Sequence, residues 1–359
     1  MKYQYWLANI SGVGTRAIHK MLAQTESAEE IYHLDQNGLA KISGISDRQR
    51  AAIAEKKKSW DLEKEYESLL SQGIHFLSYE MDAYPDTLRN ISDPPYSLYV
   101  KGCMPDFTKR RAAIVGARMC SDYGKAFARK IGYSLGRQGV EVISGLARGI
   151  DSYGHEGALE GNGRTFAVLG CGVNCCYPQS AEKLYDRILK QGGILSEYPP
   201  DTKPLPCLFP ARNRIISALS DMVIVVEAKE KSGSLITADF ALEQGKDVYA
   251  VPGRITDALS TGCNNLIRQG AGIITSVEEL QKDLGFEPPE GFCQENFNKL
   301  LLEKDESLVY ACLSLRPKSM EELLKKTGFA MPQMADVLQR LIQKDFITES
   351  FKNYYIRKI

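Results

Sequence analysis

The sequence predicts a doubly wound α/β domain with a mostly parallel sheet (residues 73–287), placed between a helical N-terminal region (1–72) and a winged-helix-like C-terminal region (298–359). Three observations carry this expectation. Between residues 73 and 287 short apolar runs alternate with amphipathic stretches, the pattern of successive strand and helix units. Runs such as Met222-Val223-Ile224-Val225-Val226 are apolar on both faces, as a strand covered by helices on both sides requires. A Pro288-Pro289-Glu290-Gly291 stretch reads as a linker, after which three helical segments precede two short β segments.

The N-terminal region reads as helical throughout. Ile10-Ser11-Gly12-Val13-Gly14 leads into a helix over Thr15 to Leu22, and a looser copy, Ile42-Ser43-Gly44-Ile45-Ser46, leads into one over Asp47 to Ala54. Each is an apolar–glycine turn between two helices, a helix-hairpin-helix (SAM-like) arrangement. The backbone N–H groups opening the second helix of such a turn can meet a DNA phosphate, or glycine can simply supply positive φ for a tight corner. Both readings stand for the first copy. The second lacks the second glycine and reads as a tight corner.

Nine strands are expected in the middle region: 74–79, 97–101, 112–115, 140–144, 166–169, 194–198, 222–227, 248–251 and 272–275. The first two extend the sheet beyond a standard doubly wound core. In the last region the helices are expected over 307–313, 319–327 and 331–344, and the β segments over 347–349 and 354–357. From Leu301 onward this region carries ten basic and eight acidic residues, too balanced for a typical DNA-reading wing, so a regulatory or protein-contact role is expected of it.

The chain has 359 residues, of which 43% are hydrophobic and 25% charged, the composition of an ordinary globular protein. Lys+Arg and Asp+Glu number 45 each, so any electrostatic attraction to a polyanion must be local. No targeting signal or membrane-length apolar run is visible, and a cytoplasmic location is expected. None of the nine cysteines forms a C-x-x-C pair, and the Cys171/Cys175/Cys176 cluster has no histidine near it in sequence; reduced thiols and no metal are expected.

The candidate site lies in the loops at the C-terminal ends of the strands, where open α/β sheets bind their ligands. After the third strand, Gly116 can admit a ligand close to the backbone, Arg118 offers a planar fork that matches phosphate, and a helix starts near Asp122. After the fourth, Ser144, Gly145 and Arg148 precede a helix, with Asp151 expected as its N-cap and His155 as a structural residue. The G-x-G after the fifth strand lacks the third glycine of a dinucleotide fingerprint, because Cys175 stands there. A proline-rich lead carrying Lys203 then runs into Phe209-Pro210-Ala211-Arg212-Asn213-Arg214. Phe209 either stacks on a base or anchors the core, and the two arginines are expected to face opposite ways, one outward and one inward. An aromatic beside cations is what a single strand needs, the ring for a base and the cations for the backbone. Finally Ser232, Gly233 and Ser234 open a helix with N–H groups and hydroxyls suited to phosphate. These loops contain no paired nucleophile and base, no metal cage and no Walker lysine, so a binder with no cofactor is expected rather than an enzyme.

Taken together and in order, GAR at Gly116–Arg118, SGLARGID at Ser144–Asp151, LGCGVNCCYP at Leu169–Pro178, LSEYPP at Leu195–Pro200, FPARNRIISALS at Phe209–Ser220, VVEAKEKSGSLITA at Val225–Ala238 and VYAVPG at Val248–Gly253 resemble the signature of the DprA/Smf family of DNA-processing proteins. The resemblance implies an extended Rossmann-like domain that binds single-stranded DNA at these loops and dimerises through that domain. It also implies a partner, the recombinase RecA, loaded onto incoming single strands in natural transformation. By residue it points to Arg118, and further to Arg148, Arg212, Arg214 and Lys203. Some members carry a basic residue nearer the phenylalanine, where this chain has Pro206, Cys207 and Leu208. A rival class, the lysine-decarboxylase-like phosphoribohydrolases, shares a similar sheet but carries a PGG-x-GT loop that is absent here.

Overall fold

The computed structural model describes residues 1–286, 302–344 and 346–357. Six helices come first: α1 (Lys2–Ala8), α2 (Thr15–Leu22), α3 (Ala28–His33), α4 (Gln36–Lys41), α5 (Asp47–Ser59) and α6 (Leu62–Ser71). They close on a core of Trp6, Leu7, Ile18, Met21, Ile31 and Ile53, which Tyr96 joins from the segment that follows. Gly12 and Gly44, at the two hairpin corners, have φ of 80° and 79°, the left-handed conformation that glycine adopts without steric cost. The start of α5 is closed by a capping box: Ser46 accepts from the Gln49 N–H, and Gln49 accepts from the Ser46 N–H. The start of α2 has no side-chain cap, and Gly14 occupies that position.

The middle region forms a nine-stranded sheet. In chain order its strands and helices are β1 (Ile74–Ser78), α7 (Asp86–Arg89), β2 (Ser97–Gly102), β3 (Arg111–Val115), α8 (Asp122–Arg137), β4 (Glu141–Ser144), α9 (Ile150–Glu160), β5 (Thr165–Leu169), α10 (Glu182–Gln191), β6 (Gly193–Ser196), α11 (Leu208–Leu219), β7 (Met222–Val225), α12 (Gly233–Glu243), β8 (Asp247–Ala250), α13 (Thr261–Arg268), β9 (Gly272–Ile273) and α14 (Val277–Asp283). The spatial order is β1-β2-β6-β5-β4-β3-β7-β8-β9. All pairs from β6 to β9 are parallel, while β1 and β2 add antiparallel strands at the β6 edge. The chain winds outward from β3 to β6, then returns across the sheet to β7 and winds the other way. The topological switch point therefore lies between β3 and β7.

Both faces of the sheet are covered, which explains the continuous apolar runs. Along β3, Ala113 and Val115 enter one core with α11, α12 and α13, while Ala112 and Ile114 enter another with α8, α9 and α14. This is the period-two alternation of a strand, apolar on each side. Each of the nine expected strands is present, with ends shifted by at most two residues.

The last described region contains α15 (Lys304–Cys312), β10 (Lys318–Ser319), α16 (Met320–Thr327), α17 (Met331–Gln343), β11 (Ile347–Phe351) and β12 (Tyr354–Arg357). Its sheet has the order β10-β12-β11 and its core includes Val309, Leu323, Val337, Leu338 and Tyr355. Strand β10 escaped sequence reading because two residues carry no periodicity. The proposed linker at Pro288–Gly291 lies outside the described residues.

Candidate nucleic-acid interface

The strand-end loops do come together, but several side chains face the opposite way from the sequence expectation. Arg212 is buried, 4% exposed. Its Nη1 donates to the Gly145 carbonyl at 2.9 Å and to the Val168 carbonyl, tying α11 to the loop after β4 and to the end of β5. Burial lowers its pKa to about 10, against the opposing pull of the Asp151 carboxylate. Arg214 is buried as well, at 6%, and forms a two-pronged ion pair with Glu197 at 2.8 and 2.9 Å. Its Nε donates to the Asp93 carbonyl at 2.8 Å. The expected division into one outward and one inward arginine is therefore corrected: both are inward. Residues two apart on a helix do point to opposite sides. Here α11 is packed on both sides, by the strand-end loops and by the Asp93–Glu197 region.

The loop after β4 is built around Asp151. The expectation that Asp151 is the N-cap is also corrected, since Gly149 (φ 82°) holds that position. The Asp151 carboxylate instead accepts the Gly145 N–H at 3.1 Å from within the loop, and burial raises its pKa. Leu146 adopts φ 54° with its side chain fully buried, a strained backbone of the kind found at functional loops. Ser144, expected at the ligand, is buried and donates to the Ile114 carbonyl at 2.6 Å. A Cβ on Gly145 would lie 2.5 Å from the Arg212 guanidinium, so internal packing by itself requires glycine there. The result is a rigid turn from which Arg148 alone projects into solvent.

Gly116 is constrained in the same way. A Cβ there would meet Ile150 at 2.7 Å and the Glu227 carbonyl at 2.9 Å, so its smallness serves internal packing. The start of α8 is already occupied by an anion. Glu227, 5% exposed at the end of β7, accepts the Ser121 N–H at 2.9 Å and the Ser121 hydroxyl at 2.5 Å. Sequence reading missed Glu227, because an acid after an apolar strand carries no sign of the helix start it will pack against.

His155 is fully buried, and burial lowers its pKa to about 3, with the Arg212 charge adding to the effect. Thr165 spends its hydroxyl proton on the Val142 carbonyl at 2.8 Å. Nδ1 of His155, 2.6 Å from Thr165 Oγ1, must therefore be the donor, which leaves Nε2 bare and unpartnered.

The groups left on the rim are Arg118, Arg148, Lys203 and Gly233, all exposed. Arg118 makes no ion pair with a described residue, and its guanidinium lies 5.5 Å from the centroid of the half-buried Phe209. Exposed Tyr177, which sequence reading passed over, sits beside Phe209 with ring centroids 5.4 Å apart. Asn213, half-buried, donates to the Gly233 carbonyl at 3.1 Å and fastens α11 to the start of α12. There Ser232 and buried Ser234 share a hydroxyl–hydroxyl bond of 2.8 Å, and Ser232 caps the helix.

A family model described as DNA recombination-mediator protein A matches residues 75–285, the segment that holds the nine-stranded sheet apart from Ile74. The chain is also 39% identical over 287 residues to the DNA processing protein DprA of Streptococcus pneumoniae, covering 79% of this chain and 98% of that protein. The chain belongs to the DprA/Smf family. Among solved structures, DprA from Streptococcus pneumoniae aligns with a TM-score of 0.69 at 37% identity, covering 80% of this chain and 99% of that one. DNA processing protein A from Helicobacter pylori, a structure that addresses its single-stranded DNA binding mode, aligns at 0.53 with 31% identity, covering 59% and 95%. The family match spans all five strand-end loops, so the rim described above belongs to the DprA/Smf unit. Among the described residues no helix is long and apolar enough to cross a membrane, and no group of three or more acidic, histidine or cysteine side chains could hold a metal.

Proposed function

We propose that this DprA/Smf chain binds single-stranded DNA along the rim formed by the loops after β3, β4, β5 and β6 and the start of α12. The observation that carries the reading is the cluster of an unpaired, exposed Arg118 with Phe209 and Tyr177, flanked by exposed Arg148 and Lys203. Cations and rings side by side suit a flexible strand, which offers phosphates and unstacked bases together. The single-strand binding of the Helicobacter pylori relative supports the same reading. Glu227 supports a polyanion over a dinucleotide, because it fills the helix start at the switch point where a pyrophosphate would sit.

In this reading the protein holds strands for the recombinase RecA during DNA uptake, works in the cytoplasm, and dimerises through the sheet domain. The open β9 edge, with Ile273 half exposed, is a surface such a dimer can use. The C-terminal unit of α15–α17 and β10–β12 acts as a winged helix in a regulatory contact. The reading includes no turnover of DNA or nucleotide. Asp151, the acid within the loops, is buried with its carboxylate turned onto the loop's own N–H group, and His155 is enclosed.

The test is a parallel titration with a single strand, a blunt duplex and a mononucleotide. The single strand binds most tightly, and its affinity falls steeply with salt as several phosphate contacts release counterions. Equal or tighter binding of the duplex overturns the proposal.

A further inference from the structure

Phe209 is the residue the sequence offers for base stacking, but its surroundings leave it little free surface. A Cβ on Gly170 would lie 2.7 Å from its ring, so the Gly170 backbone closes one side. The Arg118 guanidinium lies 5.5 Å from its centroid and the Tyr177 ring 5.4 Å away, the two aromatic planes inclined by 33°. The outermost ring of the row is Tyr177. It is 45% exposed and makes no hydrogen bond with a described residue, while Pro178 next to it is buried and fixes the backbone that carries it.

We propose that Tyr177 is the platform on which a base of the bound strand stacks, and that Phe209 is the support that positions both Tyr177 and Arg118. This rests on the single-strand reading above. A base laid on the exposed side of Tyr177 extends the pair of rings, and both Tyr177 and Arg118 flank the same Phe209. The two rings are tilted by 33° with centroids 5.4 Å apart, within the separation at which aromatic pairs attract, so the platform is organised before the strand arrives. Every base has a π-face, so the contact is tolerant of sequence but demands an unpaired base.

The experiment compares wild type, Tyr177→Ala and Tyr177→Phe on an oligothymidylate and on an abasic oligonucleotide of equal length, across a range of salt. Tyr177→Ala weakens oligothymidylate binding roughly 5- to 150-fold, the range of one base stack. Tyr177→Phe keeps wild-type affinity, because the ring and not the hydroxyl is used. On the abasic strand all three proteins bind alike. The slope of log affinity against log salt is the same for wild type and Tyr177→Ala, since every phosphate stays neutralised. Tyr177→Ala binding both strands like wild type overturns the proposal and leaves the single-strand reading standing. Equal weakening on both strands also overturns it, by assigning Tyr177 a packing role. Wild type that binds neither strand removes the underlying reading itself.

Discussion

Replacing Arg118 and Arg212 separately by alanine divides the basic residues of the rim into those that bind and those that hold the loops. Arg118 is exposed and rests only against the Phe209 ring at 5.5 Å, so Arg118→Ala removes at most about 1 kcal/mol of stability, the worth of an exposed cation–π interaction. As a phosphate clamp it contributes about 1–3 kcal/mol to DNA binding, so affinity falls roughly 5- to 150-fold. The salt slope falls by about 0.7, because one phosphate fewer is neutralised. Arg212→Ala does the reverse. It leaves the Gly145 and Val168 carbonyls without their donor and strands the buried Asp151 carboxylate, a loss of about 3–5 kcal/mol of stability. Urea unfolding and a fluorescence-anisotropy titration of a labelled single strand, run on both variants, separate the two effects. An Arg118→Ala protein that melts early yet binds normally per folded molecule, or an Arg212→Ala protein of wild-type stability, refutes the assignment.

Glu197→Ala removes the carboxylate that pairs with buried Arg214 and accepts the Thr15 hydroxyl at 3.0 Å, so chemical denaturation should show a loss of about 3–5 kcal/mol. Glu227→Ala removes the acceptor of the N–H and hydroxyl of Ser121, the N-cap of α8, at a cost of about 1–3 kcal/mol. Sulfate should then restore part of the lost melting temperature in the variant and leave wild type unchanged. His155 makes stability depend on pH. Its folded pKa of about 3 lies below the ordinary value, so the unfolded chain binds the extra proton, and its contribution is complete above about pH 6.5 and lost as pH falls towards 3. That loss is about 1.4 kcal/mol per pH unit, and His155→Asn should flatten urea-derived stability between pH 6.5 and 5 by about 2 kcal/mol relative to wild type.

Backbone order was legible in the sequence, and side-chain direction was not. The central strands β3 to β7 were readable because a strand buried on both faces must be apolar at consecutive positions, and glycines and helix-starting residues bound the runs. The loops were readable as a group because serine, glycine and arginine crowd the strand ends. What failed was the step from residue type to orientation. Gly116 and Gly145 look like glycines that admit a ligand, yet the space they provide is taken by Ile150, the Glu227 carbonyl and the Arg212 guanidinium. Ser144 looks like a phosphate donor but completes a bond to Ile114 in the neighbouring strand. Each outcome depends on a partner distant in the chain that no local pattern names. Tyr177 was passed over for the same reason: the Tyr177-Pro178 pair marks a turn, and only folding brings it beside Phe209 from a loop 32 positions earlier.

The buried charges explain why the exposed ones can work. A doubly wound sheet gathers helix starts and strand ends at one edge, where ligands of many kinds can bind. Here the chain's own groups occupy the deepest of those places: Glu227 at the switch point, Asp151 under the loop after β4, and Arg212 across two carbonyls. A compact ligand drawn into the crevice would have to displace charges already paired and removed from water. An extended ligand need not enter. It can lie along the outer rim, where Arg118, Arg148, Lys203 and Tyr177 stand on loops that the buried network holds still. Rigid loops lower the ordering cost of binding, so a few exposed side chains suffice in a chain whose charges otherwise cancel. The same arrangement requires variants of the buried set to fail by unfolding and variants of the rim to fail by losing the strand.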